Sequence, residues 1–509
     1  MNQCLTLKMA KRGSFLKRAL VSTREVWLEF CLKTSLHGWK FTVSRSVAKA
    51  ERLTWLMICI ISVTSSLLPI YLVWKFSIIN PTKTVAASLQ HDIYLVKFPA
   101  VTVCSNNIVS KRAAYVMARK LLQLRVFREG KNKSNVDVVA NNLGLLANFV
   151  LIRTSSIREG DYKGLKNVIK GSGLSEVEIF NQITPNCEEI LQICMWKGDI
   201  KPCKNLFYSI KTPIGNCCTF NYVAYPKNII NGSEKTAQIT TSCGYQSGLE
   251  VLVKNYLNDT LPGFAPSPEY RVIVHSPYDF PNRGLQSVLC NPGTNNMIGV
   301  NAAYIQPTTS LLSLDASTRK CLISDEKPLG YFSVYTYRNC VVECEIAIIF
   351  EVCGCAPFFA KSEFGPYNSA KGCTLDDIKC MQSAYASRDK LVKKFGNLVI
   401  QEKCNCLPEC EIFSYKPEFS YGILDKEFCA TAFILHTDFD VKNSTIIRVF
   451  LNDLTSTLYR KDANYPPQIF AGYCGSTFSF FGGFSIISLV EIVYLQAVHV
   501  IRWCKSNKK

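Results

Sequence analysis

Residues 469–501 read Ile469-Phe-Ala-Gly472-Tyr-Cys-Gly475-Ser476-Thr-Phe-Ser479-Phe-Phe-Gly482-Gly483-Phe-Ser485-Ile-Ile-Ser488-Leu-Val-Glu491-Ile-Val-Tyr-Leu-Gln-Ala-Val-His-Val-Ile501. Glu491 is the only charge in this run. A plain lipid anchor needs neither an acid nor so many glycines. An ionisable group inside a membrane is costly and usually faces protein or water. Gly475, Ser479 and Gly483 recur every fourth residue, as do Gly472 and Ser476, giving small-residue faces on which helices approach closely. One reading of the stretch is packing in a single-pass anchor; the other is a pore-lining helix.

Working outward, a second uncharged run spans Thr54–Trp74, beginning just after Glu51-Arg52. Its length matches the roughly 20 residues needed to cross a bilayer. It starts too far from the N-terminus, and runs too long, for a cleaved secretory signal. The segment before it carries 11 Lys/Arg against Glu25, Glu29 and Glu51, and Arg502, Lys505, Lys508 and Lys509 follow the last run. Positive flanks stay cytoplasmic. The expected organisation is a cytoplasmic tail (1–53), a first span (54–76), an extracellular region (77–468), a second, pore-lining span (469–501) and a cytoplasmic tail (502–509). Much of the +19 net charge is then topological rather than a sign of nucleic-acid binding.

Nineteen of the 24 cysteines fall in residues 77–468. In an oxidising compartment they read as a disulfide framework, not a metal site. The sequons at Asn132, Asn231, Asn258 and Asn443 lie in the same region and agree with exposure to the secretory lumen. Alternation in Tyr270–His275 and Ser444–Phe450 predicts half-buried strands. Residues 106–128 and 340–351 read as helices, and Asn141–Ile152 is too short to cross and reads as core. The expected fold class is an α+β membrane protein, with a central sheet carrying a disulfide-stapled helical appendage over the cysteine-dense residues 321–410. His91, His275 and His436 show no spacing that defines a nucleophile or metal site, so no enzyme, cofactor or metal is expected.

Six motifs in order resemble the degenerin/epithelial sodium channel (amiloride-sensitive sodium channel) family, with the flavour of its insect pickpocket branch. They are Thr34-Ser-Leu-His37-Gly38, Phe98-Pro-Ala-Val-Thr-Val-Cys104, Gly215-Asn-Cys-Cys-Thr-Phe-Asn221, Val274-His-Ser-Pro-Tyr-Asp-Phe-Pro281, Cys353-Gly-Cys355-Ala-Pro and Gly483-Phe-Ser485-Ile-Ile-Ser-Leu-Val-Glu491. Cys218 departs from the aromatic usual in the third.

The resemblance implies an acid-sensing-channel-like trimer, homomeric or with related subunits, in the plasma membrane. It implies a sodium-selective, stimulus-gated and amiloride-sensitive pore with a sensory or epithelial role. Gly483, Phe484, Ser485 and Glu491 would form the filter and pore, while His37, Gly38 and Gly472 would serve gating. Tyr473 stands where acid-sensing channels have an aspartate, so acid gating is not expected. The implied disulfides are Cys104–Cys217, Cys194–Cys203, Cys321–Cys410, Cys340–Cys406, Cys344–Cys404, Cys353–Cys380 and Cys355–Cys373, leaving Cys187, Cys218, Cys243, Cys290 and Cys429 unassigned. Glu491 is equally readable as a pore charge or as a structural contact. A two-span scavenger or lipid receptor without a pore is the alternative; it would not need the glutamate or the glycine ladder.

Overall fold

The computed structural model describes residues 27–129, 135–152, 159–224, 236–261, 267–360, 366–367, 369–385, 404–425 and 440–506. Asn132, Asn231, Cys429 and His436 lie outside the described residues. The chain forms two compact units, one drawn from the segments up to Lys83, Thr308–Arg319 and Asp462 onward, the other from Thr84–Pro307 and Lys320–Lys461.

In the first unit, a short helix α1 (Trp39–Val43) leads into α2 (Lys49–Ile79). Helix α2 is long and apolar enough to cross a membrane and extends beyond the expected 54–76 at both ends. The second apolar run is not one helix. It is broken into α8 (Pro467–Gly482) and α9 (Ile486–Ser506), which are bent by 77° and pass the length and composition test only as a pair. Helix α8 packs along α2.

The second unit carries strands β1 (Thr82–Asp92), β2 (Ala100–Ser105), β3 (Leu191–Trp196), β4 (Asp199–Lys201), β5 (Phe207–Thr212), β6 (Gly215–Phe220), β7 (Leu249–Lys254), β8 (Tyr270–His275), β9 (Ser287–Cys290), β10 (Thr294–Pro307), β11 (Ile412–Ile423), β12 (Ser444–Leu451) and β13 (Thr455–Ala463), of which β13 runs into the first unit at its end. They make two sheets rather than the one expected. The larger has the order β1-β13-β10-β12-β7-β3-β4 with β11 paired to β10, and the smaller β5-β6-β2-β8-β9. One core joins them. Phe98, Val101, Phe220 and Val272 from the smaller side meet Trp196, Val251, Ile298 and Val449 from the larger. Phe98 packs edge-on to Trp196 at 4.7 Å between ring centroids. A sheet with one apolar face must bury it, and a second sheet does so here.

Helices α3 (Lys111–Glu129), α4 (Val136–Leu143), α5 (Glu159–Ser172), α6 (Glu176–Ile183) and α7 (Tyr337–Cys353) complete the unit. Helix α3 starts at Lys111, later than the expected residue 106, because Ser110 ends the preceding turn: its Oγ accepts from Ala113 N, and Arg112 N donates to Asp259 Oδ1 at 2.6 Å. Within the stretch Asn141–Ile152, residues 143–150 are buried, in line with a core role, while Asn141 is exposed.

The seven disulfides implied by the resemblance are formed, with Cα separations of 4.4–5.9 Å. An eighth joins Cys187 to Cys218. Successive side chains on a strand point to opposite faces. Cys217 on β6 therefore faces its register partner Cys104 on β2, and Cys218 turns the other way to Cys187. Cys340 and Cys344 share one face of α7 and meet Cys406 and Cys404. Cys243 and Cys290 are free thiols.

His275 is fully buried between hydrogen bonds. One ring nitrogen, Nδ1, lies 2.9 Å from Ser276 O, so it carries the proton and donates. Nε2 then accepts from Thr102 Oγ1 at 2.8 Å, and Thr102 in turn bonds Thr219. Burial pushes the imidazole pKa down to about 4. This histidine is a structural link between β2, β6 and β8.

Candidate functional site

The break between α8 and α9 has a local cause in Gly482-Gly483-Phe484-Ser485. Gly483 adopts φ 68°, ψ 22°, the left-handed conformation that ends a helix, and its N–H donates to Ser479 O at 2.9 Å. Two residues on, Ser485 starts the next helix. Its Oγ accepts from Ser488 N at 3.2 Å while Ser485 N donates to Ser488 Oγ at 3.2 Å, a reciprocal cap of the kind that satisfies orphan helix N–H groups. Glycine as stop and serine as start specify a corner.

A helix end leaves its last carbonyls without partners. Here they are met from elsewhere in the same unit. Ser62 Oγ on α2 donates to Phe481 O, and His37 N donates to Gly482 O at 3.1 Å. The His37 ring sits against Gly483 so closely that a Cβ there would stand 2.6 Å from Nε2. Gly38 adopts φ 81°, and a Cβ on it would meet Cys59 Sγ at 2.9 Å and Trp55 at 3.4 Å. The motif is therefore fixed from both sides: histidine supports the corner, and glycine fits the surface of α2. Around it, Trp27 packs edge-on to Trp39 and Phe41 stacks on Trp55.

Below the corner, Ser35 reaches α9. Its N–H and O–H both point to Glu491 Oε2, at 3.2 and 3.3 Å, and its Oγ lies 2.9 Å from Ser488 Oγ. Sequence reading did not single out Ser35 or Ser62. Their signal was a pattern of serines beside the His-Gly pair and within the first span, which carries no meaning until the partners are known. Of the expected site residues, the structure brings His37, Gly38, Gly483, Ser485 and Glu491 into one cluster, with Phe484 in the connecting turn. Gly472 lies ten residues before Gly482, apart from it. Within this chain a Cβ at Gly472, Gly475 or Gly482 meets nothing within 4 Å, so the small-residue face they form has no partner among the described residues.

Backbone that leaves the helix at membrane depth is tolerated only where protein or water satisfies it. The cluster supplies such partners from side chains and backbone of this unit. A family model described as amiloride-sensitive sodium channel matches residues 30–495, and the chain belongs to that family. It is similar to the sodium channel protein Nach of Drosophila melanogaster, at 25% identity over 93% of this chain and 87% of the relative. It also resembles pickpocket protein 28 of the same fly, at 23% over 94% and 79%. The bile acid-sensitive ion channel of Mus musculus is 24% identical over 91% of this chain and 86% of its own length. Membership in this channel family sets the chain apart from enzymes.

Proposed function

We propose that this sodium channel subunit crosses the plasma membrane twice, through α2 and through the α8–α9 pair, with both termini cytoplasmic and residues 77–468 outside. Three subunits, identical or related, surround the pore. The unpartnered face of Gly472 and Gly475 supports assembly, because small residues allow helices from neighbouring subunits to approach. The second span lines the pore, and the corner at Gly483-Phe484-Ser485 forms its constriction. Small residues there leave room for backbone oxygens to replace the water around a cation. Ser485 Oγ accepts from Ser488 N and keeps a second lone pair, so the hydroxyl joins the backbone carbonyls of the turn as an ion ligand.

The observation that carries this reading is the helix break at Gly483-Phe484-Ser485, where His37 and Ser62 cap the freed carbonyls of Gly482 and Phe481. The channel is gated by a stimulus and blocked from outside by amiloride. A proton acting on a pore-mouth carboxylate is not part of the reading, since Tyr473 occupies that position.

The test is whole-cell current from cells expressing the chain, alone and with related subunits. Sodium-carried current that vanishes when sodium is replaced by a large organic cation, and is blocked by external amiloride, is the expected result. Replacing Ser485 with a bulkier residue should lower conductance or relax ion preference. Current carried equally by the large cation would overturn the selective pore.

A further inference from the structure

One corner of the larger sheet brings together two sequons that are far apart in the chain. Strand β7 ends at Lys254 opposite Ser444, where β12 begins. Leaving β7, the chain runs Asn255-Tyr256-Leu257-Asn258; entering β12, it runs Asp440-Val441-Lys442-Asn443. Asn255 N donates to Asn443 O at 2.6 Å and locks the two segments side by side. Between them lies a cavity of about 810 Å³, with both Asn258 and Asn443 in its wall.

The wall suits a carbohydrate. Cavities of roughly 300–1,000 Å³ with an apolar surface and a few fixed polar groups are the usual form of small-molecule sites. Here the apolar groups are Ile193, Leu252, Leu257 and Tyr256, and the cations of Arg112 and Lys254 lie over the Tyr256 ring at 5.5 and 5.2 Å from its centroid. Asn255 is buried behind this wall, where its Nδ2 donates to Thr445 Oγ1 at 2.6 Å. An N-acetylglucosamine, with an acetamido group, several hydroxyls and a C–H face, suits a wall of mixed polar and apolar groups.

The asparagine that would carry the sugar is held in place. Asn443 is half-buried, and its Nδ2 donates to Asp440 Oδ2 at 2.5 Å. Asp440 also caps the turn Val441–Asn443, accepting from Lys442 N at 3.2 Å, so the carboxylate is fixed by the backbone. An N-glycosidic bond replaces one of the two amide hydrogens and leaves the other to keep that contact. Asn258 is exposed on the rim.

We propose that the cavity is the seat of the chain's own N-linked glycan, with the first sugars on Asn443 lying in it against Tyr256. The inference rests on the outward orientation of residues 77–468. An ordinary sequon glycan is a solvated surface decoration; this one is part of the fold at the β7–β12 corner.

The full chain is expressed in cells that build complex N-glycans, and each sequon is followed by glycopeptide mass spectrometry. A seated glycan is shielded from processing enzymes, so Asn443 should keep an oligomannose chain while the exposed Asn258 carries a processed one. On native protein, enzymatic release from Asn443 should be slower than from Asn258 by about tenfold or more, because the accessible fraction limits the rate. After denaturation the two rates should converge. Tyr256→Ala should make the Asn443 glycan processed and quickly released, with Tyr256→Phe retaining protection. An empty Asn443, a native glycan there released as fast as at Asn258, or protection of Asn258 instead would overturn the proposal. Glycans on Asn132 and Asn231 with none on Asn443 would leave the outward orientation standing, whereas four empty sequons would overturn the orientation as well.

Discussion

Ser35 donates both its backbone N–H and its hydroxyl to one oxygen of Glu491, at 3.2 and 3.3 Å, across 456 positions of sequence. The only charge in the second apolar run is thus bound to the segment that precedes His37-Gly38. Hydrogen bonds to a charged group contribute about 1.5–3 kcal/mol, enough to bias a gate by tenfold or more.

This contact separates two roles for Glu491. Glu491→Gln removes the charge but keeps an oxygen that accepts from Ser35, whereas Glu491→Ala removes both. If anchoring is the role, Glu491→Gln should retain sodium current and preference, and Glu491→Ala and Ser35→Ala should both lower the open fraction. Single-channel recording distinguishes open fraction from conductance. A drop in unitary conductance in Glu491→Gln would assign the carboxylate to the ion path instead.

Gly483→Ala combines two penalties. A non-glycine residue in the left-handed region costs roughly 1–2 kcal/mol, and the new Cβ would press on the His37 ring 2.6 Å away. Current per channel at the surface should fall sharply. Adding His37→Ala removes the clash but not the backbone strain, so the double variant should recover part of the loss. Full additivity of the two defects would mean that the ring and the glycine do not touch in the working channel.

Gly472→Val should not harm the folding of a single chain, because a side chain there meets nothing within 4 Å. If other subunits close on this face, overpacking of about 1–3 kcal/mol per site raises resting sodium current without a stimulus. Surface labelling first establishes equal delivery to the membrane. Equal delivery with wild-type resting current would remove Gly472 from the gate.

Acid should act on two buried groups in opposite directions. Burial lowers the His275 pKa to about 4 from an ordinary 6.5, so its contribution to stability is complete above the ordinary value and is lost as pH falls through about 4. At 1.36 kcal/mol per unit this is on the order of 3 kcal/mol. Burial, and to a lesser extent the charge of Glu409, raises Asp279 to about 6 from an ordinary 3.8. Its contribution is complete below the ordinary value and is lost as pH rises through about 6. Thermal unfolding of the full chain in detergent should therefore lose less stability between pH 6.5 and 4 in His275→Gln and more in Asp279→Asn. Identical pH slopes in both variants and wild type would exclude these residues as the source.

Much of the chain was legible from local pattern. Tyr270–His275 and Ser444–Phe450 alternate as strands and are strands, but they are buried on both faces rather than half-buried. The cysteine ladder was available through the family resemblance, but Cys187–Cys218 was not. Its clue was local after all: two adjacent cysteines on one strand must face opposite sides, so Cys217 and Cys218 need different partners. The second sheet was not legible, because alternation marks a half-buried strand and says nothing of what covers its apolar face.

The sequence by itself determined the corner between α8 and α9, since Gly483 as a left-handed stop and Ser485 as a cap are choices made within a few residues. It likewise determined the two apolar runs, whose length and composition are local properties. Only the tertiary structure decided what holds the corner. Phe481 O and Gly482 O are left over by any helix that ends there, and nothing nearby in the chain can reach them. Ser62 and His37 supply the donors, and Ser35 engages Glu491, because folding brings segments more than 400 residues apart within hydrogen-bond distance. Such pairings leave no period or spacing in the sequence; they exist only once α2 and α8 have packed.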